Sequence, residues 1–190
     1  MKKLMLVSTI ALTAWMMQSC GNNTNRNPQS EKPADSAKDL NEIAKPVDEN
    51  SSKFAVDAAN GGMMEVAMGK LAQEKASNAR VKAFGAMMVT DHSKAGDQLK
   101  ELAGKKNIAL PAELSTQEKN HLDDLSKKSG KDFDKSYIDM MVDDHDKDVK
   151  EFEKASSDLT DPDLKTWATN TLPTLKVHQD SARAIQKAFK

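Results

Sequence analysis

The chain has 190 residues, 38% of them hydrophobic, 30% charged and 4% aromatic, with a formal net charge of −1. These proportions suit one small helical domain with length left over for appendages. A near-neutral chain without a long basic stretch gives no support to a nucleic-acid partner, and a single cysteine, Cys20, excludes an intrachain disulfide.

Lys2 and Lys3 precede an apolar run from Leu4 to Met17, broken only by Ser8, Thr9 and Thr13. The run is shorter than the ~20 residues that span a bilayer comfortably. A charged start, an apolar middle and a small residue before a cleavage point predict a secretory signal over residues 1–19. Met17-Gln18-Ser19-Cys20 resembles a bacterial lipobox. That resemblance implies cleavage before Cys20 and acylation of its sulfur and amine, so the partner is a membrane, reached through lipid. Several acyl chains anchor stably where one is marginal. Gly21 and Asn22 follow, with no Asp beside the cysteine. The resemblance therefore implies the outer membrane, with the domain in the cell envelope facing the periplasm or the exterior. The alternative is an ordinary signal with an incidental cysteine. Beyond Cys20, residues 21–50 carry Asn, Ser, Lys, Asp, Glu and Pro with few large apolar side chains, which predicts a disordered tether over 20–50.

From Ser51 to the C-terminus the apolar period is helical, and the expected fold is all-α: a ferritin-like antiparallel four-helix bundle with an extra short helix. The first long helix, 51–76, lines up Phe54, Ala58, Gly61, Glu65, Met68 and Ala72. Ser77-Asn78 breaks it and caps the second, 79–104, whose seam is Val81, Phe84, Met88, His92, Ala95, Leu99 and Leu102. Gly104 is expected to end that helix. A short helix over 115–128 follows, closed by Gly130. The third long helix, 132–157, aligns Tyr137, Met141, His145, Val149 and Phe152. Asp161-Pro162 is a cap with proline at the first helical position. The fourth helix, 162–189, aligns Leu164, Ala168, Thr171, Leu175, His178, Ala182, Ile185 and Phe189, and Pro173 is expected to bend it.

Each long seam is interrupted by one ionisable residue: Glu65, His92, His145 and His178. All four are in phase with the core and near the middle of their helices, so an antiparallel bundle brings them to one level. Left unpaired in a core, such groups each cost several kcal/mol. One transition metal ion, Zn, Fe, Cu or Mn, removes that cost by taking all four as ligands. Asp91 and Asp144 precede two of the histidines. They can accept a hydrogen bond from the non-ligating nitrogen of a neighbouring imidazole, act as ligands, or remain solvated. Met68, Met88 and Met141 share the seams as flexible core fillers, or as a soft thioether surrounding. His121, on the short helix, reads as surface.

MMVTDH (87–92) and MMVDDH (140–145) differ at one position, and the alignment sets Phe84 over Tyr137 and Leu99 over Phe152. Two antiparallel helices presenting that seam would put His92 and His145 on opposite sides of the cluster. With Phe54, Ala58-Ala59, Glu65, GKDFDKSYIDMMVDDH (130–145) and LPTLKVH (172–178), these motifs resemble the domain of unknown function 4142 family, described as predicted outer-membrane proteins and grouped with ferritin-like bundles. The resemblance covers about 52–188. It implies a ferritin-like four-helix fold and an exported protein, and no assigned activity. Ferritin-like di-iron sites use Glu-x-x-His pairs, whereas Val89, Val142 and Leu175 stand three residues before the histidines here. A single-metal site is the better match. Three readings follow: an envelope bundle that stores, buffers or senses a metal; a metal-free structural or interaction module in which Glu65 pairs with a protonated histidine; and, last, a metal-dependent oxidase.

Overall fold

The computed structural model describes residues 33–189, and the expected signal segment, Cys20 and the first part of the expected tether lie outside them. Six helices form the described chain: α1 (Pro33–Ala44), α2 (Glu49–Lys75), α3 (Ala79–Lys106), α4 (Thr116–Ser126), α5 (Gly130–Asp158) and α6 (Pro162–Lys187). The fold is all-α. Each long helix starts at a polar side chain that satisfies free backbone N–H groups, or at a turn that fixes its direction. Asp48 accepts from Ser51 N, Asn78 from Arg80 N, and Asp161 from Asp163 N and Leu164 N. Ser115 and Glu118 form a capping box at α4.

Two expected boundaries move. α3 continues past Gly104 to Lys106 and ends on Asn107, which takes the left-handed conformation that satisfies the last carbonyls. Gly130 opens α5, at φ +57°, instead of closing α4. The larger correction concerns the tether. Pro33–Ala44 is a helix seated on the bundle, and α2 already begins at Glu49. α1 docks without an apolar stripe: it buries Ala34 and Ala37, and Asn41 clamps the backbone of one residue, donating to the Ala109 carbonyl at 2.9 Å and accepting from Ala109 N at 2.7 Å. Small side chains and a paired amide supply the contact that hydropathy alone does not register.

α2 pairs with α3 and α5 with α6, each through a three-residue connection, 76–78 and 159–161. At one end of the bundle Ala76, Val81, Phe133 and Ile185 share a cluster; at the other, Ala55, Ala103, Ala155 and Leu164 do. α3 and α5 therefore run in the same direction, and neighbours around the bundle are antiparallel. The segment 107–129, carrying α4, returns the chain from one end to the other. This corrects the expectation that the two repeat-bearing helices are antiparallel. They stand diagonally opposed, and equivalent residues meet near the bundle axis: Phe84 and Tyr137 ring centroids are 6.2 Å apart, and those of His92 and His145 are 5.6 Å apart.

One turn from Glu65, α2 and α3 pack backbone against backbone. A Cβ on Gly85 would lie 2.8 Å from the Gly69 carbonyl oxygen and 2.8 Å from Ala72 Cβ. The turn that follows α2 is pinned to α5 by Asp134, only 1% exposed, whose carboxylate accepts from Ser77 N at 3.0 Å, Asn78 N at 2.9 Å and the Ser77 hydroxyl.

Gly85→Ala is expected to lower stability by about 1–3 kcal/mol, because two backbones must separate to admit one methyl; thermal unfolding followed by circular dichroism checks it, and an unchanged midpoint would contradict the close packing. Asp134→Ala is expected to cost about 1–2 kcal/mol by removing the acceptor of two N–H groups at the part-buried turn before α3, read as a lower denaturation midpoint with an unaltered slope.

Candidate metal centre

The core divides into two apolar clusters. One holds Met64, Met68, Phe84, Met88, Tyr137 and Met141; the other holds Leu99, Phe152, Leu164, Trp167 and Leu175. Between them lies a polar layer. His92 is 7% exposed, His145 0%, His178 1% and Glu65 3%, so helical phase alone delivers all four to the bundle interior. One ring nitrogen from each histidine lies within 4.8 Å of the others.

Every imidazole has one nitrogen held and the other free. His92 Nδ1 is 2.7 Å from Glu65 Oε2, His145 Nδ1 is 2.9 Å from the Met141 carbonyl oxygen, and His178 Nε2 is 2.8 Å from Asp91 Oδ2. The Met141 carbonyl can only accept, so His145 carries its proton on Nδ1, and Glu65 and Asp91 in their carboxylate form accept likewise from His92 Nδ1 and His178 Nε2. His92 Nε2, His145 Nε2 and His178 Nδ1 are then lone-pair donors, and all three are buried without a hydrogen-bond partner. A metal-binding imidazole has this form, with its outer N–H fixed by a carboxylate or carbonyl. An ion at ~2.0–2.1 Å from each nitrogen fits the same convergence after a small inward movement.

Burial also keeps the rings neutral. It lowers His92 to about 4 against the opposing charges of Asp148 and Asp91, and lowers His145 to about 3 with help from the other two rings. His178 is lowered by burial as well, with the Asp91 hydrogen bond acting in the opposite direction. Neutral imidazole is the form that ligates a metal.

The residues singled out from sequence take different places. Glu65 stands beside the histidine triad: it bonds His92 Nδ1, and its other oxygen is 3.4 Å from His145 Nε2. Its carboxyl is pushed up to about 8 by burial. Asp91 accepts from the α6 histidine, across the helix interface. Asp144, its counterpart in the repeat, faces the groove between α2, α4 and α5, where Lys147 Nζ is 3.8 Å away. Met68, Met88 and Met141 are fully buried in the cluster on one side of the layer, and Met141 reaches His145 through its backbone carbonyl. His121 is exposed. α6 stays helical through Pro173, which precedes His178 by five residues.

Sequence reasoning missed Asp148. Its carboxyl lies against Glu65 and is pushed up to about 9 by burial and then by the Glu65 charge. The signal was present in His145-x-x-Asp148, a spacing that stacks two side chains on one helical face. It escaped because the ferritin-like pattern places its carboxylate three residues before the histidine, whereas here it stands three after.

Comparison with known proteins agrees with the fold. The family model described as "Domain of unknown function (DUF4142)" matches residues 36–185. A solved structure, the DUF305 fragment from Deinococcus radiodurans, superposes with a TM-score of 0.62 at 11% identity, covering 73% of this chain and 96% of that one. At that identity the likeness concerns architecture alone. No curated protein matches the chain.

An unpartnered buried nitrogen weakens a metal-free core. His145→Leu is therefore expected to raise the melting temperature of chelator-treated protein, by the equivalent of about 1 kcal/mol. A lowered midpoint would show that the imidazoles serve the fold as a hydrogen-bonded network.

Proposed function

Because the chain belongs to the DUF4142 family, which carries no assigned activity, its function rests on the site, and we propose that the bundle binds one transition metal ion through His92 Nε2, His145 Nε2 and His178 Nδ1. One observation carries this reading: three lone-pair nitrogens from three helices converge in the core, each ring oriented from behind, with no partner among the described residues. The His92 ring is held by Glu65, the His145 ring by the Met141 carbonyl and the His178 ring by Asp91. Glu65 and Asp148 place acidic groups beside the triad that can balance the charge of a dication. An all-imidazole set suits Zn, Cu and Fe more than Mn. Glu65 is the residue positioned to complete the set as a fourth ligand if its side chain turns from His92.

The same proposal puts this bundle in the cell envelope, anchored by lipid on Cys20. Its support is the charged start, the apolar run and Met17-Gln18-Ser19-Cys20. No helix among the described residues is long and apolar enough to cross a membrane. A site that binds its ion at the centre of the bundle, with ligands 0–7% exposed, suits retention of the ion for storage or sensing more than rapid exchange.

Elemental analysis of the full chain, purified without a histidine tag and reconstituted in turn with Zn, Cu, Fe and Mn, tests the reading. The expected result is about one equivalent of metal, a melting temperature that falls on chelation, and loss of both in a His92→Ala/His145→Ala variant. A stoichiometry and midpoint shared by parent and variant would defeat it.

A further inference from the structure

Beside the histidine layer the bundle is not filled. A cavity of about 250 Å³ reaches from the layer toward the surface between α2 and α3. Gly61, Gly62 and Gly96 line it, and a Cβ on any of them would meet nothing within 4 Å. Ala58, Leu99, Phe152 and Leu175 give it apolar walls, and His92, the member of the triad that lines it, stands there with Glu65 and Asp148. Trp167 also lines the cavity, 7% exposed, and its indole N–H is buried without an acceptor.

A void of this kind loses packing contacts for every side chain around it. An apolar cavity of about 150 Å³ already admits a benzene ring. The chemistry of the walls limits what fits. The rim carries Asp57, Asp97 and Glu151 against Lys100, so an anion is repelled at the mouth. The apolar middle disfavours any charged body. Two groups want a polar contact: the Trp167 N–H needs an acceptor, and an ion on three imidazoles keeps a fourth position open as long as Glu65 stays on His92 Nδ1.

We propose that this cavity seats a small uncharged ligand, a single ring or short chain carrying a lone-pair donor, which completes the coordination of the ion held by His92, His145 and His178. The proposal rests on the metal reading and adds a ligand class to it. The bundle then binds metal and small molecule together, the second against the glycines of α2 and α3.

The test uses detergent-solubilised full chain carrying Trp15→Phe, which leaves Trp167 as its sole tryptophan, loaded with Co(II) as a visible reporter. Imidazole is added at about pH 8, where it is mostly neutral, and azide is the anionic control. The expected result is a saturable shift of the Co(II) absorption band by imidazole, with Trp167 emission changing over the same concentrations. Gly62→Leu and Gly96→Leu, which fill the cavity from opposite walls, are expected to weaken that response at least tenfold while the Co(II) band itself persists. A response unchanged in both variants overturns the proposal, as does azide binding as tightly as imidazole. A Co(II) band that ignores imidazole overturns it and leaves the metal reading standing. Absence of any Co(II) band removes the metal reading and this proposal together.

Discussion

Three imidazoles packed between two apolar clusters, each fixed at one nitrogen and free at the other, set the terms for the rest of the structure. Burial strips the rings of water and keeps them neutral, so the proton on each must sit where an acceptor meets it. Glu65 in its carboxylate form, the Met141 carbonyl and Asp91 are those acceptors, and each comes from a different helix of the bundle. Their positions leave three ring nitrogens without a hydrogen-bond partner among the described residues. A core evolved for stability alone would fill this layer with leucine and phenylalanine, which buried polar groups rarely outperform. The layer is therefore a local departure from packing logic, of the kind that marks a site.

The architecture around it follows from that need for convergence. Helical phase puts each histidine inside, but only the crossover through α4 makes α3 and α5 parallel and diagonal, so that the two copies of the repeat present equivalent histidines to one another across the axis. The copies then diverge in use. Asp91 reaches His178 on α6, while Asp144 faces α2, where the residue in the corresponding place is Glu65 and offers no ring to hold. The site is thus asymmetric within a nearly symmetric frame. One side of the layer packs on methionines and aromatic rings, and the other on a cavity lined by glycines. The close Gly69–Gly85 contact belongs to the methionine side, and Gly62 and Gly96 line the cavity, so glycine serves opposite ends on the same pair of helices.

Much of this was legible in the sequence, for reasons that can be named. Asn78 and Asp161 are local caps, and caps act within one turn, so the starts of α3 and α6 followed closely. His92, His145 and His178 could be placed at one level because each interrupts an apolar seam near its midpoint. What depended on partners distant in sequence was harder. Glu65 reads the same from periodicity whether it grips an ion or a histidine, and only the 2.7 Å contact with His92 Nδ1 distinguishes the two. Asp148 sits off the seam and enters the layer through the loose α2–α5 side. The docking of α1 relies on Ala34, Ala37 and the Asn41–Ala109 clamp, which leave no hydrophobic period to detect. The parallel course of the two repeats depends on a connection whose path sequence does not specify.

The central claim is that three histidines from three helices meet on one ion, and X-ray absorption spectroscopy of the metal-loaded full chain addresses it directly. The account predicts three nitrogen scatterers at ~2.0–2.1 Å with the outer-shell scattering of imidazole rings and no sulfur at bonding distance. A first shell of oxygen alone, or one containing methionine sulfur in place of imidazole, would contradict it.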